Sequence, residues 1–473
     1  MKIGIVVPTL LIATAFGLST QAAEYTATPY AKARLDADTN RRLTAQDEDT
    51  TTGTGLEGGV VMTAGTEKST YSLTPRFNIA RYSGDGNGFD QDIDNYFIDW
   101  SSSHLLSERF SAGTTFTYAN SGVVGTELDD LGLVLNGDNN FATEVGVITE
   151  NFSRETISGG GSVSYIYDEK NSFSIGGNYG ETEYDNNTTG LADFENQSIN
   201  ASWTHQLSET DQISLSVYAS QQDFEQDFLL ESSVRNGLSS SSIDRSSDET
   251  GISLGYIHSF SDTLVGRFNV GTRSTDSEFA DLVDFDIQLS PASGALVGSN
   301  VINRADPLLT DAAFLQANPT FLQGSRTVNR AYQQGKNNGS GLTLDASVEK
   351  LYDDKTTITA GATRGTQVTG VGVSENEELY LRGIYLWSDR ITANGSFRYF
   401  TIETLNESTL FPNAGKSDQI RLELALDYRW TEFWTVGAGY SYREIERDDG
   451  GSADGHGIFF TLGYNGNTYS RSR

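Results

Sequence analysis

Ile199, Ala201 and Trp203 alternate with Ser198, Asn200, Ser202 and Thr204. After a polar knot, SETD at 208–211, Ile213, Leu215, Val217 and Ala219 alternate with Ser214, Ser216 and Ser220. A period of two is that of a strand, whose successive side chains point to opposite faces. One face is apolar; the other is mostly Ser, Thr, Asn, Gln, Gly or charge. Ile252, Leu254, Tyr256 and Phe260 precede a similar knot, SDTL at 261–264, and Leu264, Phe268 and Val270 follow in step. Leu379, Leu381, Tyr385 and Trp387 precede SDRI at 388–391, and Leu422, Leu424, Leu426 and Tyr428 precede TEFW at 431–434. Further knots lie at 66–69, 107–110, 168–171 and 353–356. Each predicts a hairpin whose turn is capped by its own hydroxyl and acidic side chains and stays in water.

The hairpins join at their other ends through longer polar segments. These are Asp36–Thr52, Gly84–Asp92, Asn120–Glu144, Asp185–Ala192, Gln222–Asp248, Asp276–Asn338, Gly370–Asn376, Leu405–Ser417 and Glu446–Gly455. The pattern gives about eighteen strands of roughly ten residues, about eight short turns and about nine long loops, with both ends of the chain on the short-turn side. A water-soluble β-sandwich also alternates. Three features favour an all-β transmembrane antiparallel up-and-down β-barrel with short periplasmic turns and long extracellular loops. They are the even strand number with its short/long asymmetry, a polar parity rich in Gly and Ser as a wet interior tolerates, and aromatics gathered near turns, Trp100, Trp203, Trp387, Trp430 and Trp434 among them. Closure removes the sheet edges that lipid cannot satisfy. The expected address is the outer membrane of a Gram-negative bacterium.

Residues 1–22, one Lys followed by an apolar run and small residues, read as a secretory signal peptide cleaved near Ala22 or Ala23. The barrel then runs over 23–464, and 465–473 form a C-terminal tail. The chain has no Cys, so neither a disulfide framework nor a thiolate metal site is expected. A formal net charge of −32 argues against nucleic acid as a partner. Most of that charge falls in turns and loops. Two Asp/Gly-rich segments, 84–94 and 447–455, fail the spacing of a twelve-residue calcium loop and read as solvated loops. No metal and no cofactor is expected.

Nor is an enzyme. The histidines are His104, His205, His258 and His456; by parity His205 and His258 face lipid, and the other two lie beside a turn and a loop. No shared cleft of His with Ser or carboxylates emerges.

The lumen parity carries Lys32, Arg34, Arg76, Arg382, Arg398, Arg421, Arg429 and Arg443. They sit on strands from the two ends of the chain, which closure makes neighbours, so they gather on one wall. Acids on the same parity include Asp345, Glu349, Glu423 and Asp427. Such a wall either sets a field across a wet passage or braces neighbouring strands. The longest loop, 276–338, contains DPLLTDAAFLQANPTFLQG, where Asp306 and Pro307 open a predicted short helix. Leu308, Leu309, Phe314, Leu315, Phe321 and Leu322 need burial there, as a constriction of the mouth, a rim cap or a partner site.

The last strand, Gly455-His-Gly457-Ile-Phe-Phe460-Thr-Leu462-Gly-Tyr464, resembles the assembly signal of outer-membrane β-barrel porins, a Gly followed by alternating apolar residues. With the pattern above, it makes the chain similar to the exopolysaccharide-associated barrels grouped as beta-barrel porin 2. The resemblance implies a channel for exopolysaccharide or related solutes. It also implies Gly457, Phe460, Leu462 and Tyr464 as the signal read by the barrel assembly machinery. Members often end on an aromatic residue, so the tail here implies an internal copy of that signal. Expected partners are outer-membrane lipids, lipopolysaccharide, the assembly machinery and a polysaccharide. The competing class is a non-conducting surface barrel, an adhesin or polymer anchor.

Overall fold

The structure, a computed structural model, describes residues 24–41, 43, 50–84, 90–123, 152–184, 193–231, 238–288, 326–353, 355–369, 372–404, 416–448 and 451–472. The signal peptide and the segment 306–324 with its predicted helix lie outside the described residues.

The first strands are β1 (Glu24–Asp38), β2 (Thr51–Gly65), β3 (Ser69–Gly84), β4 (Asp90–Leu105), β5 (Phe110–Val123) and β6 (Phe152–Ile166). Next come β7 (Asn171–Tyr184), β8 (Asp193–Gln206), β9 (Asp211–Glu231), β10 (Leu238–Ser261), β11 (Leu264–Gln288) and β12 (Arg326–Asp353). The remainder are β13 (Thr356–Thr369), β14 (Gly372–Ser388), β15 (Ile391–Thr404), β16 (Lys416–Arg429), β17 (Trp434–Arg447), β18 (Ser452–Asn465) and a short β19 (Tyr469–Ser472). Each strand from β1 to β18 pairs antiparallel with the next. Tyr30–Asp38 of β1 also pair with Asn465–Gly457 of β18, which closes an eighteen-stranded barrel. Beyond Asn465 the chain resumes as β19 against Glu24–Ala27.

The outward rows are apolar. Leu56, Ile199, Leu254, Leu381, Leu424 and Phe460 are all exposed around the barrel, a belt that only lipid covers. Trp387, Trp430 and Trp434 are exposed on the same side, near the short turns.

The recurring knot has one construction. The first Ser, Thr or Asp accepts from the backbone N–H groups two and three residues on. Ser107 takes Arg109 and Phe110, Asp168 takes Lys170 and Asn171, Ser388 takes Arg390 and Ile391, and Thr431 takes Phe433 and Trp434. These bonds satisfy donors that a tight turn leaves outside the ladder.

Strand length departs from expectation. β9 to β12 have 21, 24, 25 and 28 residues, against 14 to 17 in the other barrel strands. Much of the predicted loops Gln222–Asp248 and Asp276–Asn338 is therefore strand, with β11 and β12 paired out to Gln288 and Arg326. Above the membrane neither face has to be apolar. Arg273, Thr275 and Ser277 alternate with Thr272, Ser274 and Asp276, so hydrophobic alternation vanishes while the ladder continues.

Candidate functional site

The inward rows divide the lumen into two arcs. Those of β5, β7, β8 and β9 carry no Asp, Glu, Lys or Arg among the described residues, and β6 contributes only Arg154. Ser, Thr, Asn and Gly fill them. A cavity of about 640 Å³ lies against this arc, lined in part by Ser103, Gly113, Ser162, Ser174, Asn178 and Asn200. Glycines set its surface: a Cβ on Gly160 would sit 1.9 Å from Asn178 Oδ1, and one on Gly180 2.4 Å from Asn196 Oδ1. Each Asn amide thus lies flat over a neighbouring glycine instead of filling the lumen.

The opposite arc, from β11 round through β18 to β4, is charged. Arg398, Arg421 and Arg443 are direct cross-strand neighbours on β15, β16 and β17. Each guanidinium is held. Arg398 Nε meets Glu378 at 2.7 Å, Arg421 lies over the Phe400 ring at 5.3 Å, and Arg443 meets Asp38 at 2.5 Å. Asp38 and Arg443 sit two strands apart and meet above Gly457, where a Cβ would be 2.9 Å from the Asp38 carboxylate. Arg34 lies 3.7 Å from Asp36 and over Phe459 at 4.5 Å. Arg76 pairs with Asp99 at 3.2 Å and lies over Phe97. Lys32 stands opposite Glu57 in the ladder.

Arg429 and Arg382 stand apart from that row. Arg429 reaches down to the Asp389 carbonyl in a short turn, and Arg382 sits beside Ser396 with no carboxylate within ion-pair distance among the described residues. Of the acids, Asp427 accepts from Asn394 at 3.2 Å, Glu349 pairs with Arg267 at 3.3 Å, Asp345 lies on β12 away from the row, and Glu423 neighbours Ser396 and Ser441. Phe460 and Leu462 face outward on β18, and Tyr464 stands opposite Trp434 with ring centroids 5.0 Å apart. The four histidines lie on four different strands, on outward rows; His258 bonds Asp211 and His456 bonds Tyr440.

Sequence reasoning missed a constriction after β1. The chain turns inward at Asp38, whose carboxylate accepts the Asn40 amide at 2.9 Å. Arg41 pairs with Asp36 and stacks on Tyr82 at 3.8 Å. Leu43, 2% exposed, packs on Ile445 and Ala453. Its φ of 50° is left-handed, a conformation that a non-glycine residue holds only when its surroundings impose it. Gly455 makes room, since a Cβ there would lie 2.8 Å from the Asn40 carbonyl. The available signal was the inward parity of Gly455 and Gly457, two flat spots facing Asn40, Leu43 and Asp38.

Closed strand pairing, an apolar outward belt and a polar lumen define a transmembrane β-barrel, and the protein resides in the outer membrane of a Gram-negative bacterium. Neither a family model nor a curated relative matches the sequence. Solved structures similar to it include the ferric yersiniabactin uptake receptor FyuA from Yersinia pestis, 11% identical, with a TM-score of 0.43 over 89% of this chain and 62% of that one. The ferric-catecholate import receptor Fiu from E. coli K12 is 8% identical, with a TM-score of 0.44 over 93% and 81%. The siderophore receptor PiuA from Acinetobacter baumannii is 11% identical, with a TM-score of 0.43 over 94% and 74%. The chain spans less than two thirds of the length of the first of these receptors. Likenesses this distant carry nothing about cargo.

Proposed function

We propose that the protein is a passive channel for hydrophilic solutes, with an exopolysaccharide or a related saccharide as its cargo. The observation that carries this reading is the hydroxyl and amide arc of β5 to β9, uncharged among the described residues except for Arg154, inside a closed barrel. Such a surface exchanges hydrogen bonds with a sliding polyhydroxylated chain without holding it at one charged point. The facing row Arg398–Arg421–Arg443 biases the lumen toward anions, tempered by Glu378 and Asp38. Planar-bilayer recording tests the reading. The full chain should conduct, and replacing Arg398 and Arg421 by Ser should move the reversal potential toward cation preference, because Glu378 loses its partner. Absence of conductance at all voltages would favour the second reading, a non-conducting surface barrel. That reading draws on residues 38–41 and Leu43 folded into the mouth.

A further inference from the structure

Among the described residues the widest parting of the barrel wall lies between β12 and β13. Pairing of β12 with β13 stops at Leu344 opposite Arg364. Continued in register, Thr343 would face Gly365. Instead β12 stays with β11 out to Arg326, and β13 stays with β14 out to Thr369.

The two edges overlap. Arg364, Thr366, Glu375 and Glu377 lie on outward rows, since they alternate with the inward Thr363 and Glu378. Yet Thr366 and Glu375 find partners on the inward rows of β10 and β11. Glu375 takes Arg273 at 2.5 Å and Arg364 at 2.6 Å, and Glu249 takes Thr366 at 2.8 Å. The far ends of β13 and β14 therefore pass inside the β10–β12 wall. That accounts for the burial of Glu249, Arg273, Thr275 and Ser277 well above the barrel's midpoint. Arg273 reaches across β12 only because position 341 is glycine, where a Cβ would lie 2.7 Å from its Cζ.

A cavity of about 290 Å³ sits at the base of the split. Asn269, Asp345 and Thr363 line it from inward rows, and Leu344, Arg364 and Thr366 from outward rows. The cavity thus lies where the β12–β13 ladder ends. Its height is fixed by the belt. On β13 and β14, Ala362 and the exposed Leu379, paired on the outward face, are the last apolar step and Arg364 and Glu377, 3.1 Å apart, come next, whereas the outward row of β12 stays apolar through Leu344 and Leu342. The split thus begins at the upper margin of the belt, charged on the β13–β14 side and apolar on the β12 side, and the polar side is where water can satisfy unpaired strand edges.

We propose that this split is a lateral portal between lumen and outer leaflet, clasped by Arg273, Glu375 and Arg364, that passes the zwitterionic or neutral head of a single-tailed amphiphile. One guanidinium, Arg364, and one carboxylate, Asp345, line it with hydroxyls and an amide, so a head of net charge meets repulsion from one of them. Leu344 and the exposed Leu342 give a tail an apolar lip on the lipid side. At about 30 Å³ per water the cavity holds roughly ten waters, the size of a headgroup and not of a polymer. The portal is independent of axial conduction.

The test uses the full chain in phosphatidylcholine vesicles, with fluorescent lysophosphatidylcholine loaded inside and albumin outside to extract what reaches the outer leaflet. The chain has no native Cys, and a Cβ at Gly365 meets open space, so Thr343→Cys with Gly365→Cys gives a selective linkage across the split. Wild type should transfer the probe faster than protein-free vesicles. Linking the pair with a bifunctional methanethiosulfonate should return transfer to the protein-free rate, and reductant should restore it. Glu375→Gln should speed transfer severalfold by opening the clasp. Ion conductance should be unchanged in the linked form, which separates this result from the axial reading. Transfer that is no faster than in protein-free vesicles, or that ignores the linkage, overturns the proposal. The linked pair carries the test even where Glu375→Gln fails to fold.

Discussion

Leu43 sets burial against backbone strain at one residue, and two substitutions separate them. Its side chain is 2% exposed against Ile445 and Ala453, and its φ is 50°. Leu43→Ala removes the buried atoms and keeps a Cβ in the left-handed region. By the usual range for core Leu→Ala changes, with its lower end chosen for a site at the mouth, it should weaken the docked segment by about 2–3 kcal/mol. Leu43→Gly loses the same contacts but releases the strain, roughly 1 kcal/mol for a left-handed non-glycine residue. Glycine should therefore be the milder change, the reverse of the order in a strand or helix, where alanine is better by about 0.5–1 kcal/mol. The segment can undock without unfolding the barrel, so the assay must be local. Hydrogen exchange at the Thr39 amide, bonded to the His456 carbonyl at 3.0 Å, and at the Leu43 amide, bonded to Asn40, reads undocking directly. At about 1.4 kcal/mol per tenfold, Leu43→Ala should accelerate both amides roughly thirtyfold or more, and Leu43→Gly several times less. Equal acceleration, or a faster glycine variant, would refute the assigned backbone conformation. Exchange unchanged in both would mean that the segment is not docked by Leu43 at all.

The lipid face, the turns and the orientation give three more tests. Leu424 is exposed on the outward row and Ala425 faces the lumen, so Leu424→Arg should cost about 2–4 kcal/mol in urea unfolding from vesicles, with Ala425→Arg much milder; equal costs would break the register. The Asp168 carboxyl is held below the usual carboxylate range, first by the Lys170 amide and then by Asn171. Its capping is thus complete at neutral pH and lost as pH falls through that depressed value, so the Lys170 and Asn171 amide resonances should shift with a midpoint below an ordinary aspartate's, and an ordinary midpoint would remove the cap. Glu209→Cys in a short turn should react with an impermeant thiol reagent only from the periplasm, whereas Glu278→Cys, on the extended part of β11, should label on intact cells; reversed labelling would invert the barrel.

Strands were legible wherever the two faces meet different solvents. Ile199 to Gln206 and Ile213 to Ser220 announce their period because lipid selects one row and water the other. Above the membrane that contrast disappears, and Asp276 to Gln288 read as loop although they are hydrogen-bonded strand. The charged wall was half legible. Parity assigns Arg398 and Arg421 to the lumen, but only register shows that they and Arg443 stand side by side. The pairing of Asp38 with Arg443 links residues 405 apart in sequence, and no local pattern encodes it. Nor does any pattern mark where β12 and β13 part, because the residues on either side of Leu344 alternate without a break.

Seventeen of the barrel's eighteen strand junctions join consecutive strands, and each hairpin can zip from its own turn with little loop entropy to overcome. The β1–β18 junction is different in kind. Its partners emerge at opposite ends of synthesis, and every contact across it, including Asp38–Arg443 and the seat of Leu43 on Ala453, waits for the last strands. Until then the curved sheet carries two raw edges. The slow step of maturation is therefore the meeting of those edges, and the inward fold after β1 is a lock that engages only once the ring is whole.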